Sequence, residues 1–204
     1  VRTRGNRRQE ILQALALMLE SHPGHRITTA ALAAQIGFSE AALYRHFPSK
    51  GKMLEGLIEF VEDTLFSRIN RVLTEEQSGA RRCQAIMWLL LSFAERNPGL
   101  ARLLVGDALL GETERLRLRV RQLFDRIETH LRLILREWSI TQVPAPDVGS
   151  TPGANLLLSV AEGRISQFVR SEFSALPTTG WEEQWQVLER AVFGSAASQP
   201  SSTQ

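Results

Sequence analysis

Apolar residues recur every three or four positions along almost the whole chain, and no stretch alternates strictly between apolar and polar. A spacing near 3.6 is what a helix with one buried stripe requires, whereas a half-buried strand needs a period of two. The pattern therefore predicts an all-α fold. A first helix is expected over about residues 6–21, with Ile11, Leu12, Leu15, Met18 and Leu19 facing inward, and "HPG" stops it. A second starts at Thr28, a good N-cap, and ends before Gly37, burying Leu32 and Ile36. Gly37, Phe38 and Ser39 form a tight corner. Ser39 then caps a short third helix that ends near Phe47, because Pro48 follows.

The remaining periodicity gives six more helices. One spans about residues 49–73, with Leu54, Leu57, Ile58, Val61, Leu65, Ile69 and Val72 in a single stripe. The next, residues 80–95, is apolar nearly all round and should lie in the middle of a bundle. Shorter and longer helices follow over about residues 98–110 and 112–138, the latter with Leu116 to Leu135 inward. Its other face carries Arg115, Arg117, Arg119, Arg121 and Arg126, expected to be solvated. A turn-rich linker, 139–151, precedes two last helices over about 152–173 and 181–193. The expected division is a DNA-binding unit over residues 1–52, a helical dimerisation and partner-binding unit over 53–193, and a disordered Ser-rich tail over 194–204.

Composition changes this picture little until charge is split along the chain. The 204 residues carry a formal net charge of +2. Residues 1–52 hold eight basic and three acidic side chains, a balance of +5, against 16 basic and 19 acidic elsewhere, a balance of −3. Basic charge gathered at one end is a nucleic-acid footprint, or else simply a solvated arm. Cys83 is the single cysteine, so no intramolecular disulfide can form. The basic start followed by an apolar run resembles a signal peptide, but Gln9, Glu10, Gln13 and Glu20 interrupt it at helical spacing.

Two short helices joined by a three-residue glycine turn are a helix-turn-helix signature, whose second helix enters the major groove. That helix begins Ser39, Glu40, Ala41, Ala42, small residues that admit the backbone closely but leave few side chains for base reading. Ser39 and Ala42 are the candidates for base-edge contact. Tyr44, His46, Lys50 and Lys52, beside the free N–H groups that open the fourth helix, suit phosphates, as do Thr28 and Thr29 on the other side. Leu43 and Phe47 are expected to be core.

These residues resemble the TetR family of bacterial DNA-binding dimers through the run "ITTAALAAQIGFSEAALYRHFPSK". Further stretches, "LALMLES", "LIEFVEDTL", "RINRVL", "FAERNPGLARLL", "QLFDRIE" and "FVRSEF", are similar to the nucleoid occlusion branch of that family. The resemblance implies a homodimer formed through the last two helices, binding to a palindromic double-stranded DNA site, and association with the nucleoid in the cytoplasm. It also implies capture of the C-terminal tail of the division protein FtsZ between the fourth and fifth helices. The matching positions are Phe60, Arg68, Leu89, Ser92, Arg96 and Asn97, of which Ser92 departs from the glycine usual in the branch. Without the resemblance, Phe60 is most simply a core residue and Arg96 and Asn97 are helix-end groups.

A ligand-responsive TetR-type repressor is the alternative, and Trp88, Glu95 and Gln122 are the polar or amphipathic candidates for its pocket. The chain is not read as an enzyme. It has no HExxH, no paired cysteines, no phosphate loop and no nucleophile elbow, and His22 and His25 lack a third metal ligand. No cofactor or metal is expected.

Overall fold

A computed structural model describes residues 4–22, 27–141 and 148–194, with side chains from residue 7 onward. Among them the chain forms α1 (Arg4–Ser21), α2 (Thr29–Gln35), α3 (Glu40–Tyr44), α4 (Lys50–Glu75), α5 (Gly79–Arg96), α6 (Pro98–Leu104), α7 (Glu114–Ile140), α8 (Ser150–Arg170) and α9 (Trp181–Phe193). No strand occurs among the described residues, so the expected all-α class is observed. Residues 142–147 of the expected 139–151 linker and all but the first residue of the expected tail lie outside the described residues.

Hydroxyl caps start the three helices that follow α1. Thr28, Ser39 and Ser49 accept hydrogen bonds from the N–H groups of Ala31, Ala42 and Lys52, at 3.1, 3.1 and 3.2 Å. Each satisfies a donor that the helix itself leaves open. Between α2 and α3 the chain reverses through Gly37 at φ 68°, a left-handed conformation that a side chain would strain. Leu43 and Phe47 are buried with Ile11, Leu15 and Leu32, as expected, while Ile36 is only partly covered. Arg8 stacks its guanidinium 4.2 Å above the Phe47 ring and donates to the His46 carbonyl at 2.8 Å. The first helix thus grips the end of the third.

Helix α5 lies in the middle of the larger bundle, as its nearly continuous apolar surface predicts, packing against α4, α7 and α8. Two differences from the expected pattern have physical causes. Helix α6 stops at Leu104 rather than near residue 110, because Gly106 turns left-handed at φ 82° and a short 3-10 turn, Asp107–Leu109, follows. Helix α8 stops at Arg170, because Glu172 and Phe173 both take positive φ and the Phe173 N–H bonds the Phe168 carbonyl at 2.8 Å, a left-handed end that satisfies the last carbonyls. The outer arginines of α7 are not all merely solvated. Arg119 pairs with Glu62 at 2.6 Å, and Arg126 lies 3.7 Å over the Phe66 ring.

The helix-turn-helix end is joined to the bundle at the crossing of α1 and α6. A Cβ on Gly99 would stand 2.1 Å from the Ala16 carbonyl oxygen, so only glycine lets the two backbones meet. Beside it, Arg102 is 3% exposed, donates to the carbonyls of Leu19 and His22 at 2.7 and 2.9 Å, and pairs with Asp107. A buried cation here satisfies the open carbonyls at the end of α1. Gly99→Ala is expected to cost about 1–3 kcal/mol through forced backbone displacement. Arg102→Met is expected to cost a similar amount, about 1–3 kcal/mol, by leaving buried carbonyls unpaired. Urea unfolding midpoints check both, with Gly163→Ala as the control: its added Cβ meets nothing within 4 Å, and helix propensity alone should stabilise it by about 0.5–1 kcal/mol.

Candidate nucleic-acid interface and partner groove

The face formed by the starts of α2, α3 and α4 brings most of the sequence-derived DNA residues together. Thr28, Ser39, Tyr44 and Lys52 are exposed, whereas Thr29, Ala42, His46 and Lys50 are partly covered. Ser39 uses its oxygen as a cap acceptor, which leaves its hydroxyl hydrogen free to donate outward. Thr29 donates to the Glu40 carboxylate at 2.9 Å and lies 3.2 Å from the Tyr44 hydroxyl. That small network holds the phenol of α3 against the start of α2, so two positioning groups move as one. Because Thr28 is the α2 cap, replacing it by alanine costs about 1 kcal/mol of stability besides any loss of contact.

The lysines are partly neutralised within the chain. Lys50 pairs with Glu112 at 2.9 Å, reaching the segment just before α7, and Lys52 pairs with Glu55 at 2.6 Å. The hydrogen bond from Lys52 holds the Glu55 carboxyl below the usual carboxylate range, helped by the charge of Arg115. A phosphate at this face competes with those carboxylates for each ammonium. His46 keeps its Nδ1 buried with no partner among the described residues, while its carbonyl accepts from Arg8. Arg7 and Arg8 went unassigned at the level of sequence. Their alternation of charge with the distant Phe38 and Phe47 has no local signature, yet Arg7 stacks 5.1 Å from the Phe38 ring and Arg8 on Phe47.

The second set of residues divides in two. Phe60, Arg96 and Asn97 line a groove of about 430 Å³ whose other walls are α1, through Leu12, Leu17 and Glu20, and Leu57 and Leu100 of α4 and α6. Phe60 is 50% exposed, so the simple expectation of a core residue is overturned: it stands to one side of the buried α4 stripe of Leu57, Val61 and Leu65. Asn97 donates from Nδ2 to the Phe93 carbonyl at 2.8 Å, the helix-end role anticipated for it. The contribution of α1 was not read from the sequence, although Leu17, 61% exposed and off the inward stripe, was its available signal.

Arg68, Leu89 and Ser92 do not line this groove. Arg68 lies two turns beyond Phe60 on α4, about 12 Å along the axis. Leu89 is half-buried on α5. Ser92 is 8% exposed and turns its hydroxyl to the Leu89 carbonyl at 3.3 Å, which leaves little of the side chain for a ligand to touch. Arg68 and Arg96 are exposed and have no ion-pair partner among the described residues, so both charges are available.

Nor do the residues considered for a small-molecule pocket converge. Trp88 faces a surface pocket near the start of α9, Gln122 lies on the exterior of α7, and the Glu95 carboxylate accepts from the N–H and hydroxyl of Thr178. No group of three His, Cys, Asp or Glu side chains suited to a metal occurs among the described residues. His25 lies outside them. No helix is long and apolar enough to cross a membrane among the described residues.

Residues 11–57 match the family model of bacterial regulatory proteins of the tetR family, and residues 77–192 match that of a tetracyclin repressor-like C-terminal domain of SlmA-like type. The chain is 60% identical over 190 residues to the nucleoid occlusion factor SlmA of Shewanella pealeana, covering 93% of this chain and 96% of that one. It is 59% identical over 190 residues to that of Idiomarina loihiensis, covering 93% and 97%. A solved fatty acid degradation regulator FadR from Bacillus halodurans shares the fold with a TM-score of 0.76 at 15% identity, over 92% of this chain and 96% of that one. With the helix-turn-helix face at one end and relatives this similar over nearly their full length, the chain belongs to the nucleoid occlusion factor SlmA family of TetR-type DNA-binding regulators.

Proposed function

We propose that this protein sits as a homodimer on palindromic sites in chromosomal DNA and, while there, captures the C-terminal tail of FtsZ, keeping the division ring from assembling over the nucleoid in the cytoplasm. The observation that carries the reading is Phe60: a phenylalanine half-exposed in a groove beside an unpaired Arg96. An extended segment with an apolar anchor and acidic neighbours fits such a groove, since the ring offers apolar area and Arg96 and Arg68 offer charge at its margins. Leu89, half-buried, extends the same surface along α5, and Ser92 beneath it adds almost no exposed area. Exposed Leu156 on α8 and Val187 on α9 supply apolar area for the dimer.

In this reading residues 1–52 hold the DNA and residues 53–193 hold the partners. Tyr44, His46, Lys50, Lys52, Thr28 and Thr29 contact phosphates, while Ser39 and Ala42 approach base edges. A single five-residue recognition helix reads few bases. A two-fold dimer doubles the reading at half-sites roughly 34–36 Å apart.

Two expectations follow. Tyr44→Phe removes one phosphate donor without touching the α2 cap, and should lower operator affinity about ten- to a hundredfold, as fits a single hydrogen bond to a charged group. Lys52→Ala should lower the slope of log affinity against log salt by about one. Titrations of labelled operator DNA at several salt concentrations check both. For the tail, Arg68→Asp should weaken an FtsZ tail peptide more than about tenfold, as expected when an attractive charge becomes a repulsive one, with operator affinity unchanged. Fluorescence polarisation with the full-length protein on its DNA site is the measurement, and no binding of the tail by the unmodified protein would sink the proposal.

A further inference from the structure

On α5, Arg81, Ala85, Trp88, Ser92 and Arg96 recur at three- and four-residue steps and share one face of the helix. Arg96 ends that face at the Phe60 groove. The other end opens on a separate pocket of about 620 Å³ between α5 and the start of α9, lined by Trp88, Trp181, Glu76, Glu182, Glu183 and Arg81. Nothing in the DNA face or the Phe60 groove uses it.

Its chemistry differs from that of the groove. Three carboxylates face one guanidinium, so the pocket is net negative, whereas the groove lining balances one guanidinium, Arg96, against one carboxylate, Glu20. The Glu76 carboxyl is held below its usual range, first by the Ser78 N–H, and so keeps its charge. Glu189, on α9 outside the pocket lining, is pushed upward first by burial and then by the charge of Glu182. Gln84 donates to one Glu182 oxygen at 3.3 Å, leaving the other open. Trp88 is 45% exposed and presents aromatic surface to the same space. A carboxylate beside an exposed indole is a setting that favours an ammonium or guanidinium, through charge and through the ring face together. The Trp181 ring is buried in the wall, and its indole N–H has no acceptor among the described residues, a donor left unused.

We propose that this pocket is a second subsite for the same extended partner segment, taking a lysine or arginine side chain while an apolar residue of that segment sits against Phe60. This rests on the reading of the Phe60 groove as a peptide site. Trp88 and Arg96 are eight residues apart, about 12 Å along the helix, which an extended chain spans in about four residues. The partner segment is therefore dipolar: acidic or apolar near Arg68 and Arg96, basic about four residues away.

The test uses full-length protein on its DNA site and fluorescence polarisation with synthetic FtsZ tail peptides. A lysine is scanned through positions three to six residues on either side of the apolar anchor, each peptide paired with one carrying glutamine there. At one position the lysine form should bind about five- to tenfold tighter than its glutamine partner, the range of a partly desolvated cation on an aromatic face. Trp88→Ala and Glu182→Gln should each erase that difference without weakening the glutamine peptide. Both are surface changes, and unchanged operator binding shows that the variants fold. Equal binding of lysine and glutamine forms at every position, or an advantage that survives both variants, overturns the subsite alone. If no peptide binds, or if Phe60→Ala leaves every affinity unchanged, the groove reading itself falls and the subsite with it.

Discussion

The rest of the molecule depends on the contact between the backbones of α1 and α6. Helices normally stand 8–10 Å apart because side chains separate them. At Gly99 there is no side chain, and the carbonyl of Ala16 occupies the space where a Cβ would be. Arg102 then closes the end of α1 by bonding the Leu19 carbonyl and that of His22, just past its last residue, from inside the bundle. The first helix is thereby held by the larger domain at one end. Through Arg7 and Arg8 it holds the recognition helix at the other.

This makes α1 a shared part. One of its faces supplies Ile11 and Leu15 to the core of the helix-turn-helix. Another supplies Leu12, Gln13 and Leu17 to the groove beside Phe60. The groove and the recognition face are therefore both built against the same helix. The link between them is a packed helix rather than a mobile loop, and Lys50 paired with Glu112 adds a second, polar link between the DNA face and the bundle.

Charge follows the same economy of placement. The excess of basic residues in the first quarter marks the nucleic-acid end, but the side chains nearest the recognition helix are mostly held by partners within the chain. Lys50 and Lys52 sit on carboxylates, and Arg7 and Arg8 on aromatic rings. Exposed arginines without an ion-pair partner among the described residues include Arg45, at the end of the recognition helix, and Arg68 and Arg96, near the Phe60 groove. Summed charge thus points to the DNA-binding end, while local pairing decides which cations are free to meet a ligand.

The sequence by itself determined the helical class, the order and caps of the helices, and the helix-turn-helix. Those properties are local: a 3.6-residue period, a hydroxyl before a helix, a glycine at a corner. Thr28, Ser39, Gly37 and Ser49 each act on neighbours three or four residues away, so their roles could be read without a fold. The groove was legible only in part. Phe60, Arg96 and Asn97 meet there, but α1 joins them across some forty residues of chain, and Arg68, Leu89 and Ser92 lie along the helices beyond it. Periodicity assigns Phe60 to a helix but not to its exposed side, because a residue at the edge of the apolar stripe is covered or left open by whichever helix packs next to it. The placement of α1, the closeness that Gly99 permits, the burial of Ser92 and the acidic pocket at Trp88 were all decided by tertiary packing, since each depends on atoms brought together from distant parts of the chain.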